Sequence, residues 1–281
     1  MLAIPIPIDP VAVRIGPLVL AWHGIFTAVG VLAGLYLAAW LSRSAGIGEE
    51  AIWGAAWWVI IGGIVGARLL FAAEHPLLFV PELWRLLLIN EGGISVFGAV
   101  LGGMAAGAAW AQRHGVSPRR LLDAVAPGFL LGQGVGRIGD IINGEHLGAH
   151  APPWLPWAVV YTNPNTLGEI GIPVHPAVAY EMLWDLASAA VVIWLLRRHR
   201  LPPGAALWSS LFLYGLGRFW VGFFRLDLHV VPGLGLAQLI GLVSMPVALA
   251  GLWLSYRAPR RGATPQSGKS ASAPRPTKAA V

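Results

Sequence analysis

Cysteine is absent from the 281-residue sequence, and charged residues are scarce at 11%. The absence of cysteine excludes disulfides, cysteine-ligated zinc and a cysteine nucleophile. An ordinary soluble domain carries about twice this fraction of charged residues. Apolar residues make up 56% of the chain, and several apolar stretches exceed the roughly 20 residues needed to cross a bilayer. The sequence therefore predicts an integral membrane protein.

The net charge of +6 is that of many nucleic-acid-binding proteins, but its position in the chain argues against that function. The excess lies after Tyr256, in a stretch that is rich in Pro, Ser, Ala and Thr and holds no acid. Its six basic residues are Arg257, Arg260, Arg261, Lys269, Arg275 and Lys278. This composition predicts a disordered tail over 257–281. Beside a membrane, such a tail favours anionic lipid as its partner, and we expect no nucleic acid.

Hydropathy predicts an all-α membrane protein with about seven transmembrane helices in one domain over 1–256. The N-terminal stretch lacks a basic region before its apolar residues, so we expect no cleavable signal peptide. The predicted spans are Pro17–Leu41, Ala51–Ala73, Gly92–Trp110, Leu121–Ile142, Ala177–Leu196, Gly204–Phe224 and Gly235–Tyr256. Residues Pro76–Asn90 predict a helix lying in the membrane interface. Residues 146–174 are polar and proline-rich and predict a small lobe outside the membrane.

The distribution of basic residues predicts the orientation. Thirteen basic residues fall on the side that carries the C-terminus, and three fall on the other side: Arg14, Arg85 and Arg225. By the positive-inside rule the C-terminus is cytoplasmic and the N-terminus outside. The lobe at 146–174 contains no Lys or Arg, and it then faces outward.

Glycine is abundant inside the predicted spans, with 36 residues in the whole chain. Three Gly-x-x-x-Gly pairs predict close helix packing: Gly62 with Gly66, Gly98 with Gly102, and Gly132 with Gly136. Five glycines between Gly132 and Gly144 also predict a loosened helix there.

Three arginines lie inside predicted spans: Arg68, Arg137 and Arg218. An arginine at the bilayer centre costs roughly 2.5 kcal/mol or more, so such a residue is usually paired and functional. Arg68 lies near the outer interface and is equally well explained as an interfacial anchor. Arg225 follows Arg218 by seven residues, which places both on one face of a continuous helix.

Acidic and polar residues accompany these arginines. Arg137 and Asp140 are three residues apart and share a helix face, and Asn143 and Glu145 follow them. In the fifth span, Glu181 and Asp185 need partners that Arg137 or Arg218 could supply. His23 is a lone histidine of the first span. A purely structural ion pair between Arg137 and Asp140 would leave Asn143 and Glu145 without a role.

These residues predict an outward-leaning cavity with two or three guanidinium groups, compensating acids and apolar walls. The planar fork of a guanidinium suits a phosphate group. An amphiphile with a phosphate head could occupy such a site without leaving the bilayer. The residues therefore predict an anionic-phospholipid site, but they do not define a reaction.

At these positions the chain resembles the prolipoprotein diacylglyceryl transferases, from about Gly16 through the seventh span. The strongest match is the segment Gly136–Glu145, GRIGDIINGE, against the family pattern G-R-x-G-N-F-x-N-x-E. His175-Pro176 followed by Tyr180-Glu181 is similar to H-P-x-x-x-Y-E. Further matches are Arg218 to Arg225 with R-x-x-x-E-F-F-R, Gly66-Ala67-Arg68 with G-x-R, and Trp22-His23-Gly24 with W-Y-G.

The resemblance implies an enzyme of the bacterial cytoplasmic (inner) membrane that transfers a diacylglyceryl group from phosphatidylglycerol to the lipobox cysteine thiol of a preprolipoprotein. It implies a thioether product, glycerol 1-phosphate as leaving group, and no metal or cofactor. Arg137, Arg218 and His23 are then the candidate catalytic residues. The candidate phosphatidylglycerol-binding residues are Arg137, Asp140, Asn143, Glu145, Arg68, Arg225, Tyr180 and Glu181.

Four positions depart from the family pattern. Phe97 stands where the family has the histidine of H-G-G, Asp140 where it has asparagine, Gly222 where it has glutamate, and His23 where it has tyrosine. If the missing histidine is the thiol base, then His23 is its candidate replacement, with His146 and Glu145 as rivals. The departures leave two alternatives open: a divergent paralogue with another lipid donor or acceptor, and a non-catalytic phospholipid-binding or transport protein.

Overall fold

The computed structural model of the protein describes residues 3–257 except positions 17, 81, 89–92 and 228. Seven α-helices of 17–26 residues make up most of this part of the chain. They are α1 (Trp22–Leu41), α2 (Glu49–Glu74), α3 (Val96–Arg113), α4 (Pro118–Asn143), α5 (Ala177–Arg198), α6 (Ala205–Val221) and α7 (Leu236–Arg257). The predicted disordered tail lies, after Arg257, outside the described residues.

Four helices, α1, α2, α5 and α7, are long and apolar enough to cross a membrane. The other three are less clear cases by length and composition: α3 is rich in glycine and alanine, α4 contains five charged residues, and α6 has 17 residues. The helical, multi-pass character of the protein is therefore confirmed. The crossing of the membrane by all seven helices stays a prediction.

The described residues are mostly helical, as predicted, but they also contain six short strands in three two-stranded sheets, which the prediction of an all-α protein did not include. The strands are β1 (Ala3–Ile6), β2 (Val11–Ile15), β3 (Leu18–Ala21), β4 (Ala158–Tyr161), β5 (His229–Val231) and β6 (Leu234–Gly235). β1 pairs in parallel with β4, whereas the other two sheets are antiparallel. The first helix begins at Trp22 and not at Pro17 because β3 pairs with β2.

Within its described residues, the segment between α2 and α3 does not form the predicted interfacial helix. Two 3₁₀ turns, Pro76–Leu78 and Leu83–Leu87, replace it. Proline lacks the N–H that a continuous α-helix needs and restricts the residue before it, and two prolines fall within this segment. α3 begins at Val96, later than the predicted Gly92.

Helix α4 is central to the bundle and packs against α1, α5 and α6, while α2 pairs mainly with α3 and α7 with α6. Glycines make the α1–α4 and α2–α3 contacts close, as predicted. A Cβ added to Gly34 would lie 2.6 Å from the carbonyl oxygen of Gly128, and one added to Gly66 would meet the backbone of Gly98 and Gly102. Gly136 has open space beside it, so Gly132 alone of that pair makes the contact.

The predicted loosening of α4 by its glycines is also wrong, because the helix is continuous from Pro118 to Asn143. It ends at Gly144, whose φ of 76° is the left-handed conformation common after a helix C-terminus. Packing against α1, α5 and α6 compensates for the low helix propensity of glycine. The helix therefore holds Arg137, Asp140 and Asn143 in fixed relative positions.

The lobe predicted at 146–174 packs on the end of α4 around a small core of Ile6, Val159, Tyr161 and Val174, with Ile141 against it. Backbone hydrogen bonds also tie it to the end of α6. Ala149 N–H donates to the carbonyl of Phe224 at 2.9 Å, and Leu226 N–H donates to that of Leu147 at 2.9 Å. The lobe therefore joins the ends of α4 and α6.

Asp123 of α4 fixes the opposite end of α6. Its carboxylate accepts hydrogen bonds from the backbone N–H groups of Gly204 at 2.6 Å and Leu207 at 2.9 Å, and it is 3% exposed. The first N–H groups of a helix have no partner within the helix, so a side chain from α4 supplies one.

We predict that Asp123→Ala destabilises the protein, because it leaves two buried N–H groups without an acceptor. The expected loss is about 1–3 kcal/mol, measured as a lower midpoint of thermal unfolding in detergent. Glu50→Ala, which removes an exposed acid from the first turn of α2, is the control and should shift the midpoint much less. Equal midpoints for the two variants would contradict the capping role.

Candidate functional site

The carboxylate of Glu181 lies between three guanidinium groups near the lobe. Its Oε1 pairs with Arg218 and with Arg225, the latter at 3.0 Å, and its Oε2 lies 2.8 Å from Nη2 of Arg137. The side chains are 5% exposed for Glu181 and 7–19% exposed for the arginines. The predicted pairing of this acid with intramembrane arginines is thus confirmed.

Three separate elements bring these arginines together. Arg137 comes from α4 and Arg218 from the last turn of α6. Arg225 does not continue the same helix face as predicted, because α6 ends at Val221 and a 3₁₀ turn, Gly222–Phe224, follows. This turn, together with the backbone pairing of Arg225 with Gly148, directs Arg225 back to Glu181.

Asp185, one turn along α5 from Glu181, is also buried, at 5% exposure. It has no hydrogen-bond partner within the described part of the chain. Of the two acids of α5, Glu181 makes the expected ion pairs with arginine, and Asp185 makes none among the described residues.

A second ion pair adjoins the first through Arg137. Nη1 of Arg137 lies 2.7 Å from Oδ2 of Asp140, as the three-residue spacing predicts. The other carboxylate oxygen of Asp140, Oδ1, lies 2.6 Å from Nδ1 of His23 in the first turn of α1. A Cβ on Gly139 would lie 2.6 Å from Cα of His23, so glycine there permits this approach of α1 to α4.

Asn143 and Glu145 extend the cluster toward the lobe. The amide Nδ2 of Asn143 donates to Oε1 of Glu145 at 2.8 Å, and Oε2 of Glu145 lies 3.8 Å from Nδ1 of His23. The backbone carbonyl of Asn143 accepts from Leu167 and Thr166 of the lobe. Its buried side-chain Oδ1 has no hydrogen-bond partner among the residues that the structure describes.

Tyr180 lies at the edge of the cluster and does not contact the arginines directly. Its hydroxyl accepts a hydrogen bond from Trp157 Nε1 at 2.7 Å and lies 3.4 Å from His175 Nδ1. Its ring and that of His175 pack against Phe224. These contacts connect the lobe, the start of α5 and the turn that precedes Arg225.

His146 is the one non-glycine residue with positive φ, 57°, in the described part of the chain. Its Nε2 lies 4.0 Å from Oδ2 of Asp140, which is too far for a hydrogen bond. Burial, together with Arg137 and Arg225 nearby, lowers the pKa of His146 below the usual histidine value. This shift favours the uncharged form of the ring.

Arg68 is not part of this cluster. It is 6% exposed and donates hydrogen bonds to the backbone carbonyls of Arg85 at 2.6 Å, Leu86 at 3.2 Å, Leu88 at 3.0 Å and Gly93 at 2.8 Å. Its guanidinium also lies over the ring of Phe79. These contacts fasten the segment between α2 and α3 to α2, and the binding of lipid by Arg68 stays a prediction.

The two departures from the family pattern that remove a polar group lie in different surroundings. Phe97 is in the first turn of α3, whose main partner is α2, and is 43% exposed. At Gly222, an added Cβ would overlap Gln238 of α7. Gln238 donates to the carbonyl of Phe219 and accepts from Gly235 N–H, so a neutral amide fills the space beside this turn.

Two residues that contact the site, Asp227 and Trp157, were not identified from the sequence. Oδ2 of Asp227 lies 3.0 Å from Nε of Arg225. The position of Asp227 two residues after Arg225 is the sequence feature that indicates this pair. Trp157, which binds the Tyr180 hydroxyl, is distant in sequence and carried no signal.

A metal ion is conceivable on distances alone, because ligand atoms of His23, Asp140 and Glu145 lie within 4.8 Å of one another. Both oxygens of Asp140 are, however, already bound, one by His23 and the other by the cation Arg137. A positive guanidinium beside a ligand opposes cation binding, so these residues suit a hydrogen-bonded network better than a metal centre.

A helical membrane protein with three partly buried arginines around one buried carboxylate has a site suited to an anionic amphiphile. The family model for prolipoprotein diacylglyceryl transferase matches residues 10–256. The chain belongs to this family. A Gloeobacter violaceus phosphatidylglycerol–prolipoprotein diacylglyceryl transferase is 34% identical over 259 residues, covering 90% of this chain and 96% of the relative.

Relatives with the same name in other bacteria give the same result. The Synechococcus elongatus protein is 36% identical over 253 residues, covering 87% of each chain. The Geobacillus kaustophilus protein is 31% identical over 270 residues, covering 90% of this chain and 94% of the relative. The predicted family resemblance is confirmed.

We predict that Arg68→Lys loosens the segment between α2 and α3, because one ammonium cannot serve carbonyls that a guanidinium fork binds. Hydrogen–deuterium exchange of the amides at 83–88 should become faster, while exchange in α4 and α5 stays the same. Arg113→Lys, an exposed change in the last turn of α3, is the control. Unchanged exchange at 83–88 in Arg68→Lys would show that Arg68 does not anchor the segment.

Proposed function

We propose that the protein transfers the diacylglyceryl group of phosphatidylglycerol to the lipobox cysteine of preprolipoproteins and forms a thioether. The observation that carries the proposal is the convergence of Arg137, Arg218 and Arg225 on one buried carboxylate. The family membership and the names of the relatives support the same activity. The enzyme is then a phosphatidylglycerol–prolipoprotein diacylglyceryl transferase.

Arg137 and Arg218 hold the lipid phosphate in this proposal. A guanidinium has five N–H donors, and each arginine uses only some of them on Glu181 and Asp140. The remaining donors stabilise negative charge as the bond between carbon and phosphate oxygen breaks, which is electrostatic catalysis in a site sheltered from water. Arg225 contributes charge, and Glu181 fixes the relative position of the three arginines.

Asn143 has a group suited to the lipid head. Its Oδ1 is buried and unpaired in the described part of the structure, and buried acceptors normally have a donor. The glycerol head of phosphatidylglycerol carries hydroxyl donors that match it. Tyr180 and Arg68 do not contact the lipid in this proposal. Tyr180 holds the lobe against the site through Trp157, and Arg68 holds the segment before α3.

The acceptor thiol must lose its proton, because the thiolate is the nucleophile. We assign His23 as the base. Its side chain is 46% exposed beside Arg137 and Asp140, so a substrate can reach the ring. Glu145 and His146 are the alternatives, and the bond of Glu145 to Asn143 and the 4.0 Å separation of His146 from Asp140 make them less suited.

The arrangement in the membrane completes the proposal. All seven helices cross the bacterial cytoplasmic (inner) membrane, with the N-terminus and the 146–174 lobe outside and the C-terminus in the cytoplasm. This orientation follows the asymmetry of basic residues. The lipobox cysteine of an exported preprolipoprotein then meets the site at the outer face.

We predict that Arg137→Ala and Arg218→Ala each abolish transfer, because each removes charge stabilisation worth roughly 100-fold or more in rate. The measurement is complementation of a transferase-depleted bacterial strain, with the electrophoretic mobility of a lipoprotein as readout. Arg119→Ala is the matched control, since Arg119 is an exposed arginine of the same helix α4. It should complement like the parent.

Failure of the well-expressed parent protein to convert prolipoprotein would refute the proposed function. Full activity of both Arg137→Ala and Arg218→Ala would instead refute the phosphate assignment alone.

We also predict that transfer by the purified protein is insensitive to EDTA. The two oxygens of Asp140 are already held by Arg137 and His23, and no step requires a Lewis acid. The same preparation with and without the chelator gives the comparison, with added Zn²⁺ as a second arm. Loss of transfer in EDTA and its return with Zn²⁺ would contradict the prediction.

A further inference from the structure

Asp140 was expected from the sequence to contact the lipid, and its position in the structure suggests a different role. Its carboxylate is 6% exposed, and its two oxygens face Nδ1 of His23 and Nη1 of Arg137. A carboxylate this enclosed and already bound on both oxygens has little capacity for another donor. It would also repel a phosphate placed against it.

We propose that Asp140 is a positioning residue for His23, so that His23 and Asp140 act as a dyad that deprotonates the acceptor thiol. The proposal rests on the proposed function and deepens it, since it assigns the atom that takes the proton. An ionised carboxylate can only accept hydrogen bonds. Nδ1 of His23 must therefore carry the hydrogen that bonds to Asp140, which leaves the lone pair on Nε2.

The surroundings of His23 support this tautomer. Its Nδ1 side holds two carboxylates, Asp140 at 2.6 Å and Glu145 at 3.8 Å. Its Nε2 has no hydrogen-bond partner among the described residues, and 46% of the side chain is exposed. The basic nitrogen is thus available to a substrate, whereas the opposite nitrogen is fixed. A carboxylate that orients a histidine and stabilises the imidazolium is a recurrent catalytic arrangement.

The two positions also depart from the family pattern together. The pattern has tyrosine and asparagine where this chain has His23 and Asp140, and the two side chains are in direct contact. Tyrosine and asparagine cannot form a proton-accepting ion pair of this kind. The contact therefore links two substitutions that look unrelated in the sequence. Phe97 cannot act as a base, and in this proposal His23 and Asp140 together supply one.

The reaction balances as follows. Nε2 of His23 takes the proton from the cysteine thiol, and the thiolate sulfur attacks the glyceryl carbon that carries the phosphate ester. The carbon–sulfur bond forms while the carbon–oxygen bond breaks, and its electron pair stays on the phosphate oxygen between Arg137 and Arg218. Glycerol 1-phosphate leaves, and the imidazolium returns its proton to water. Asp140 stays ionised throughout.

The test compares two acceptor peptides with a lipobox in phosphatidylglycerol vesicles, one carrying cysteine and the other selenocysteine. A selenol is a stronger acid than a thiol and is ionised at neutral pH without a base. With the cysteine peptide, His23→Phe should lower kcat about 100-fold or more. Asp140→Asn should lower it about 100-fold or more, since loss of the carboxylate that orients a catalytic histidine can cost about 10⁴-fold in kcat. With the selenocysteine peptide, both variants should approach the parent rate.

Two further variants separate the dyad from other causes of inactivity. Arg137→Ala should stay inactive with either peptide, because its defect lies in the departure of the phosphate. His150→Phe removes a histidine from a second histidine–carboxylate pair, His150 with Glu169 at 3.0 Å in the lobe, and should match the parent. Arg137→Ala thus separates a defect in phosphate departure from one in deprotonation, and His150→Phe excludes an effect shared by any histidine–carboxylate pair.

The outcomes are distinct. Parent-like kcat of Asp140→Asn or of His23→Phe with the cysteine peptide would overturn the dyad. A loss of activity that selenocysteine does not restore would also overturn it, since the defect would then lie in folding or in Arg137. An inactive parent protein would instead refute the proposed function itself.

Discussion

The site depends on one buried carboxylate that binds three guanidinium groups. Glu181 offsets the repulsion among Arg137, Arg218 and Arg225, which is strong between cations in a medium of low dielectric. The carboxylate joins α4, α5 and the end of α6 at a single point. The lobe and the turn after α6 close around this point through the hydrogen bonds of Phe224 and Leu226. Arg137 extends this point to Asp140, which in turn contacts His23.

Two departures from the family pattern change the charge of the chain in opposite directions. Glycine stands at 222 where the family pattern has an acid, and Asp140 stands where the pattern has a neutral asparagine. The added acid is held by Arg137 and by His23, and the space beside Gly222 is filled by the neutral Gln238. Both substitutions are thus accommodated by the contacts around them.

Much of the helical fold could be predicted from the sequence, since apolar runs and the cost of charge in a bilayer constrain it strongly. The pair Arg137–Asp140 followed from a spacing of three along one helix, which is a local property. The short strands could not be predicted, because β1 and β4 pair across about 155 residues. The role of Arg68 could not be predicted either, since its partners are backbone carbonyls of an irregular segment.

The contact between His23 and Asp140 could not be predicted from the sequence either. It joins residues 117 positions apart, and it requires that Gly139 let α1 approach α4. Sequence alone flagged both side chains as unusual but gave no distance between them. The path of the chain at the end of α6 was also hidden, because a helix repeat carried past Val221 gives the wrong direction for Arg225.

The parallel pairing of β1 with β4 has a consequence for biosynthesis. Ala3–Ile6 leaves the ribosome long before Ala158–Tyr161, its partner strand. At a synthesis rate of about 5–20 residues per second, the first strand waits roughly 8–30 seconds for its partner. Four helices are synthesised in that interval. The two strands of this sheet therefore pair only after α1 to α4 have emerged from the ribosome.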